Sequence, residues 1–195
     1  MFYKVLFFTI IQLLPIGIWV FLLKKKNIEV DWRLILSYFV FGSWFGMMGE
    51  LFLFKIIDLV FHSPIWEYRT MPNHDGITSS FGPIMWGLAS VYVCLHKNYQ
   101  LVPIKTTNKL ALFCLESGFL LVLELLFNFA AYGIFNNYFF YYFVPDLWHW
   151  SSFTNMPFWW IGYKAMVKFA ALFYKEEKLN ICLAILIITV LFAYQ

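Results

Sequence analysis

Long apolar runs separated by short polar links dominate the chain. The runs extend from Phe2 to Leu23, about Arg33 to Phe54 with a continuation toward Phe61, about Phe81 to His96, about Leu110 to Ile134, about Met156 to Tyr174, and Leu179 to Tyr194. Most are close to the roughly 20 residues that cross a bilayer core as a helix. The third is short. It is expected to begin deeper in the protein, with part of the preceding polar loop dipping in. The first run is followed by Lys24-Lys25-Lys26 and by no small-residue cleavage site, so it reads as a retained helix and not as a signal peptide. Pro15 and Gly17 are candidate kink positions within it. The pattern predicts an all-α, polytopic membrane protein of about six transmembrane helices. It forms one integral membrane domain over 1–195: a leading helix and link (1–32), two units (33–97 and 109–174) and a closing helix (179–195).

Two loops stand apart from this alternation. The first, 62–80, contains Pro64, Pro72 and Gly76, which break regular structure. The second, 135–155, is rich in Tyr, Trp and Phe and has no Lys or Arg. The segments around them match loosely. Glu50 is followed by Tyr68 and Pro72, and Glu124 by Tyr141 and Pro145, with Glu-to-Pro spacings of 22 and 21. Pro83-Ile84-Met85-Trp86-Gly87 answers Pro157-Phe158-Trp159-Trp160-Ile161-Gly162 after a two-residue shift. Both units run in the same direction, so the expected relation is a parallel, inexact repeat about an axis along the membrane normal. Such repeats often place a site at their interface.

Composition agrees with the pattern. Hydrophobic residues make up 62% of the 195 residues and charged residues 13%, against about 25% charged in soluble domains. The net charge of +3 lies in short links and not along one face, which gives no footprint for nucleic acid. Nine basic residues fall in the odd-numbered links (Lys24, Lys25, Lys26, Arg33, Lys97, Lys105, Lys109, Lys175, Lys178). The other side has only Lys4 and Arg69, with Lys55 near that end. By the positive-inside bias, the chain is expected in the plasma (cytoplasmic) membrane with both termini and both polar loops extracytoplasmic. Cys94, Cys114 and Cys182 are far apart in apolar segments and read as small packing residues.

The candidate chemistry lies in and beneath the two loops. Glu50 is about 25 Å along its helix from Arg33, and Glu124 also lies past the midplane of its own. An intramembrane acid is costly unless paired, protonated or wet, and so marks a functional candidate. Together the two acids suggest one shared cavity open to the outside, with Lys164 as an interior counter-ion for one of them. The alternative is that each acid anchors a loop. His74 beside Asp75, and His149 beside Asp146, fit a base with its partner, although Asn73-His74-Asp75-Gly76 is also good turn sequence. Trp66, Trp86, Trp148, Trp150, Trp159 and Trp160 fit packing or an interfacial belt as well as an aromatic box. Gly42, Gly46 and Gly49 share one helical face, a surface for a membrane-protein partner or a second copy. No metal, nucleotide or hydrolase motif occurs, and no cofactor is expected.

Trp66-Glu67-Tyr68, then Asn73 and Gly76, then Trp86-Gly87 resembles the motif of the bacterial integral-membrane family labelled ABC-transporter type IV. It is also similar to related small vertebrate transmembrane proteins. The resemblance covers about residues 50–90, with Glu67 where the family has Asp. It implies a permease-like protein whose motif residues lie in the site. With no ATPase motif in the chain, ATP coupling would need a partner. Three readings follow: a carrier for a small or lipidic solute, a non-catalytic membrane subunit or assembly factor, and an intramembrane enzyme on lipid or isoprenoid substrates with Glu50 and Glu124 as acid and base. The pocket candidates are Glu50, Trp66, Glu67, Tyr68, Asn73, His74, Asp75, Glu124, Asp146, His149 and Lys164.

Overall fold

The computed structural model describes residues 2–70, 73–74, 78–79, 81–101, 106–176, 181, 183–185 and 187. Five helices carry the fold: α1 (Phe2–Lys25), α2 (Trp32–Phe61), α3 (Gly82–Asn98), α4 (Lys109–Phe135) and α5 (Met156–Lys175). The described positions between 181 and 187 are also helical. α1 runs through Pro15 as one helix. Among the described residues, α1, α2 and α4 are long and apolar enough to cross a membrane. α3 and α5 fall short by length or composition, and the closing run lies largely outside the described residues. The exposed surface is itself apolar, with Leu14, Phe21, Phe52, Leu59, Leu126 and Ile161 among its side chains. Exposed apolar side chains in this number suit a surface that faces lipid tails.

Local sequence sets the helix ends. Asp31 caps α2 by accepting from the backbone N–H of Arg33 (2.9 Å) and Leu34 (3.2 Å). Asn108 caps α4 in the same way through Leu110 (2.9 Å) and Ala111 (3.2 Å). Such caps contribute about 1 kcal/mol each. α2 stops at His62 (φ 52°) and α4 at Asn136 (φ 48°). Both residues are left-handed, and each donates its N–H back to the preceding turn. Pro83 and Pro157 each occupy the first turn of the next helix, α3 and α5. The two stops are 74 positions apart, and so are the two prolines.

α2 and α3 pack antiparallel at unusually close range. A Cβ on Gly42 would lie 2.1 Å from Ser90 Cβ, and one on Gly46 would lie 2.1 Å from Trp86 Cγ. The face expected to receive a partner chain is therefore filled at Gly42 and Gly46 by α3 of the same chain. Gly49 meets nothing within 4 Å. This register puts the start of α3 level with Glu50, about 17 Å short of the end of α2 at 1.5 Å per residue. The chain between them turns back along the last turns of α2, as the short third apolar run predicts.

The two loops meet through a short antiparallel strand pair, β1 (Trp66–Tyr68) with β4 (Phe140–Tyr142). Trp66 faces Tyr142, Glu67 faces Tyr141, and Tyr68 faces Phe140. The pair is extended by Arg69 N–H to Phe139 C=O (3.1 Å) and Phe143 N–H to Ile65 C=O (2.9 Å). Alternation gives each strand two buried residues and a half-buried one between them. A second small pair joins β2 (Asn73–His74) to β3 (Thr78–Ser79). One apolar cluster binds α1, α2, α3 and α5 around Tyr38, Leu95 and Tyr163. The other lies under the strands, where Phe8, Trp66, Phe127, Phe139 and Phe140 pack together. The loop aromatics thus build a core, while Trp148 remains 73% exposed.

Candidate functional site: two buried acids on one cavity

On each of the two long helices a buried glutamate receives a tyrosine from the strand pair. Tyr68 donates its hydroxyl to Glu50 Oε1, and Tyr142 donates to Glu124 Oε1; both partners are 18 residues apart. Glu124 Oε2 also accepts from Ser151. The strands therefore rest on the acids through hydroxyl groups, which spares each carboxyl part of the cost of leaving water. The sequence comparison set Tyr141 opposite Tyr68, but the register gives that place to Tyr142. Tyr141 instead turns to the outer face, where the Arg69 guanidinium lies 3.6 Å from its ring centroid.

Both acids line one cavity of about 360 Å³. α2 contributes Gly46, Gly49 and Glu50, α4 contributes Leu120 and Glu124, and α5 contributes Trp159 and Gly162. Trp66, Phe140 and Tyr142 of the strands cover it. Phe52, Phe158 and Ile161 also line it and are exposed, which places an opening between α2 and α5 toward the apolar surface. The expectation was one shared cavity open to the outside beneath the two loops. Residues of the β1–β4 pair line it on the loop side. A smaller cavity of about 210 Å³ lies toward α1 and shares Trp86, Glu124 and Trp159 with the first. The Trp86 and Trp159 rings stand 5.3 Å apart between the two spaces. The buried indole N–H of Trp86 has no hydrogen-bond partner among the described residues, an uncommon state for a buried donor, whereas that of Trp159 is directed at Glu124.

The remaining candidates have other places. Glu67 lies on the outer face of its strand and pairs with Arg69. Asp146 accepts from Phe153 N–H (2.8 Å) and Ser152 Oγ (3.1 Å), bracing the turn that leads to α5. His149 Nδ1 donates to the Tyr142 carbonyl (2.7 Å) and its ring stacks on Tyr141. Lys164 does not reach Glu50 or Glu124 as a counter-ion. Its Nζ pairs with Glu116, 2.6 Å from Oε2, and Trp160 Nε1 donates to that same oxygen (2.9 Å). Glu116, about two turns before Glu124 on α4, is the acid that took the lysine. Asn73 and His74 are described only as backbone in β2. Asp75, with Pro72 and Gly76, lies outside the described residues.

Asn128 was not among the sequence candidates, yet it holds the second loop. It is fully buried. Its Nδ2 donates to the carbonyls of Phe140 (2.8 Å) and Trp150 (2.5 Å), and its Oδ1 accepts from Phe139 N–H (2.8 Å) and Phe140 N–H (3.1 Å). A signal was present. Glu116, Leu120, Glu124 and Asn128 recur every fourth residue and share one face of α4. Comparison with protein-family models, curated proteins and solved structures finds no match for this chain.

Proposed function

We propose that this is a six-span membrane carrier in which two related units enclose a pocket for a small or lipidic solute. The observation that carries the reading is the single cavity faced by two buried acids, one from each unit. Further support comes from one constant offset. At 74 positions apart lie His62 and Asn136 at the helix stops, Glu50 and Glu124 on the cavity, Tyr68 and Tyr142 on the strands, and Pro83 and Pro157 at the helix starts. The strand register is symmetric under the same offset, with Glu67 opposite its own counterpart Tyr141. Such self-matching pairing is what a two-fold axis through that pair would produce. The resemblance to the permease-like family points the same way, through Trp66 on the cavity and Tyr68 on Glu50.

In this proposal the pocket lies in the extracytoplasmic half of the plasma membrane, with both termini outside. Gly42 and Gly46 serve internal packing, which removes the sequence feature that favoured a subunit held by that face. Cysteine accessibility tests the carrier reading. Gly49 lines the cavity and has room for a side chain. Gly49→Cys, with Cys94, Cys114 and Cys182 replaced by Ser, is expected to react with membrane-impermeant maleimide from both faces of oriented vesicles. Reaction from one face alone would overturn alternating access. Labels at Asn73 and Thr107 report orientation, and Asn73 is expected to react from outside.

A further inference from the structure

We infer that the smaller cavity, between α1, α3 and α4, binds the hydroxyl end of a neutral lipid alcohol, a hydroxyl group on one flexible apolar chain. The inference goes beyond the carrier reading and does not rest on it. Two neutral polar groups of residues on this wall are buried and unpaired among the described residues: the side-chain oxygen of Gln12 on α1 and the indole N–H of Trp86 on α3. Gln12 is 8% exposed. It stands near the middle of α1, about 15 to 20 Å from either end at 1.5 Å per residue. A lone amide oxygen at that depth is costly, because a bilayer core offers no water to pair it. The backbone adds a second acceptor. Pro15 has no N–H to give to the Ile11 carbonyl one turn earlier, and both residues line the cavity. The surroundings are held in place. The Tyr92 hydroxyl donates to the Gln12 backbone carbonyl (2.7 Å), fastening α1 to α3 at this level, and the Trp86 ring packs against Gly46.

The wall decides among lipid classes. No Lys, Arg, His or Asp lines it among the described residues. Glu124 does, but its carboxyl is engaged by Tyr142, Ser151 and Trp159. A charged headgroup would therefore find no counter-ion in a poorly solvated space. A plain hydrocarbon would leave the Gln12 oxygen and the Trp86 N–H unpaired. An ether or ester oxygen accepts only, so it answers Trp86 and not Gln12. A hydroxyl both donates and accepts, and supplies what each of the two groups lacks. The size fits one end of such a lipid. At about 210 Å³ the cavity holds about seven groups of about 30 Å³ each, enough for a hydroxyl and the first part of a chain. Pro15 and Leu126 also line it and are exposed, which gives the rest of the chain an exit between α1 and α4 to the apolar surface.

Three compounds with one chain and different heads separate hydroxyl recognition from hydrophobic fit. The full chain in phosphatidylcholine nanodiscs is photolabelled with a diazirine-bearing hexadecanol, in competition with hexadecanol, hexadecyl methyl ether or hexadecyl sulfate. Labelling is expected to saturate and to map to α1 and α4 around Pro15 and Leu126. Hexadecanol is expected to compete about tenfold better than the ether or the sulfate, the ratio that 1.4 kcal/mol produces. Gln12→Leu, close in volume but without the amide, is expected to weaken the alcohol to the level of the ether. Equal competition by alcohol and ether on the unaltered chain would overturn the hydroxyl class and leave water as the partner of both groups. A preference for the sulfate would overturn the neutral class, and labelling that does not saturate would overturn the site. An alcohol preference that survives in Gln12→Leu would overturn the role of Gln12. Because the three competitors are compared on the unaltered chain, the class does not depend on any variant folding.

Discussion

Glycines at two positions on one helical face have opposite prospects. Gly46 touches the Trp86 ring so closely that a methyl group has no space, while Gly49, one turn on, faces the cavity. Gly46→Ala is therefore expected to destabilise the folded chain by about 2 kcal/mol or more through overpacking. Gly49→Ala is expected to stabilise it by up to about 1 kcal/mol through helix propensity. Thermal melting in mild detergent distinguishes them, and similar melting of the two variants would contradict the α2–α3 register. Asn128 is the other residue on which much depends. Asn128→Leu would leave the backbone groups of Phe139, Phe140 and Trp150 with fewer partners in a buried place, at a cost of about 3 kcal/mol. The expected result is lower thermal stability and faster proteolysis of the 136–155 loop. The intramembrane acids could be read in the sequence because an acid in an apolar run stands out. Asn128 was harder to see. A neutral amide carries no charge signal, and its partners are backbone groups that appear only once the loop has folded back.

Between elements, the long helices set the scale and the loops adapt to it. α2, at 30 residues, is about 45 Å long, more than the roughly 30 Å of a bilayer core. The chain returns beside its overhanging end before α3 begins. The short third apolar run made that return legible, but nothing in the spacing of residues 66–68 and 140–142 announced that they would pair. Pairing between distant loops depends on where the helices deliver their ends. If the register is right, Cys at Glu67 and Tyr141 will sit opposite each other, within the 4.4–6.8 Å Cα range of a disulfide. Glu67→Cys/Tyr141→Cys is expected to crosslink under mild oxidant, whereas Glu67→Cys with Phe143→Cys should not.

At the opposite end of the bundle, Asp31 joins three helices. It caps α2, accepts from the Tyr174 hydroxyl at the end of α5 (2.6 Å), and donates its backbone N–H to Tyr99 Oη after α3 (2.8 Å). The Tyr174 hydrogen bond, with the cap amides, holds its carboxyl below the ordinary value of 3.8. A group whose folded pKa is lowered contributes stability above its unfolded value and loses it as the pH falls through the folded one. Asp31→Asn is thus expected to lower the melting temperature at pH 7, with the difference from wild type shrinking below about pH 3.8. A difference that persists unchanged at low pH would place the effect on packing instead.

Over the whole molecule, the two proposed units differ where it matters for packing. Gly42 and Ser90 let α2 and α3 touch. The positions 74 residues further along are Glu116 and Lys164, and there an ion pair stands between α4 and α5. One unit is sealed by small residues and the other is held by charge, so the second has the looser seam beside the cavity. Hydropathy alone indicated a membrane-embedded helical chain, and the two acids that stood out in it line one cavity. The lysine's true partner escaped notice because its distance from each glutamate along the sequence says nothing about which one faces it across the helices.

In the proposed carrier, Glu50 and Glu124 act on one ligand. Native mass spectrometry of the protein released from mild detergent tests it most directly, with wild type beside Glu50→Gln and Glu124→Gln and helicity checked for each. A discrete bound small molecule or lipid is expected on the wild-type chain, lost in both variants while the helical signal persists. A chain that carries no ligand, or one whose ligand or polypeptide partner stays bound in both variants, would contradict it and leave the two acids as anchors for the strands.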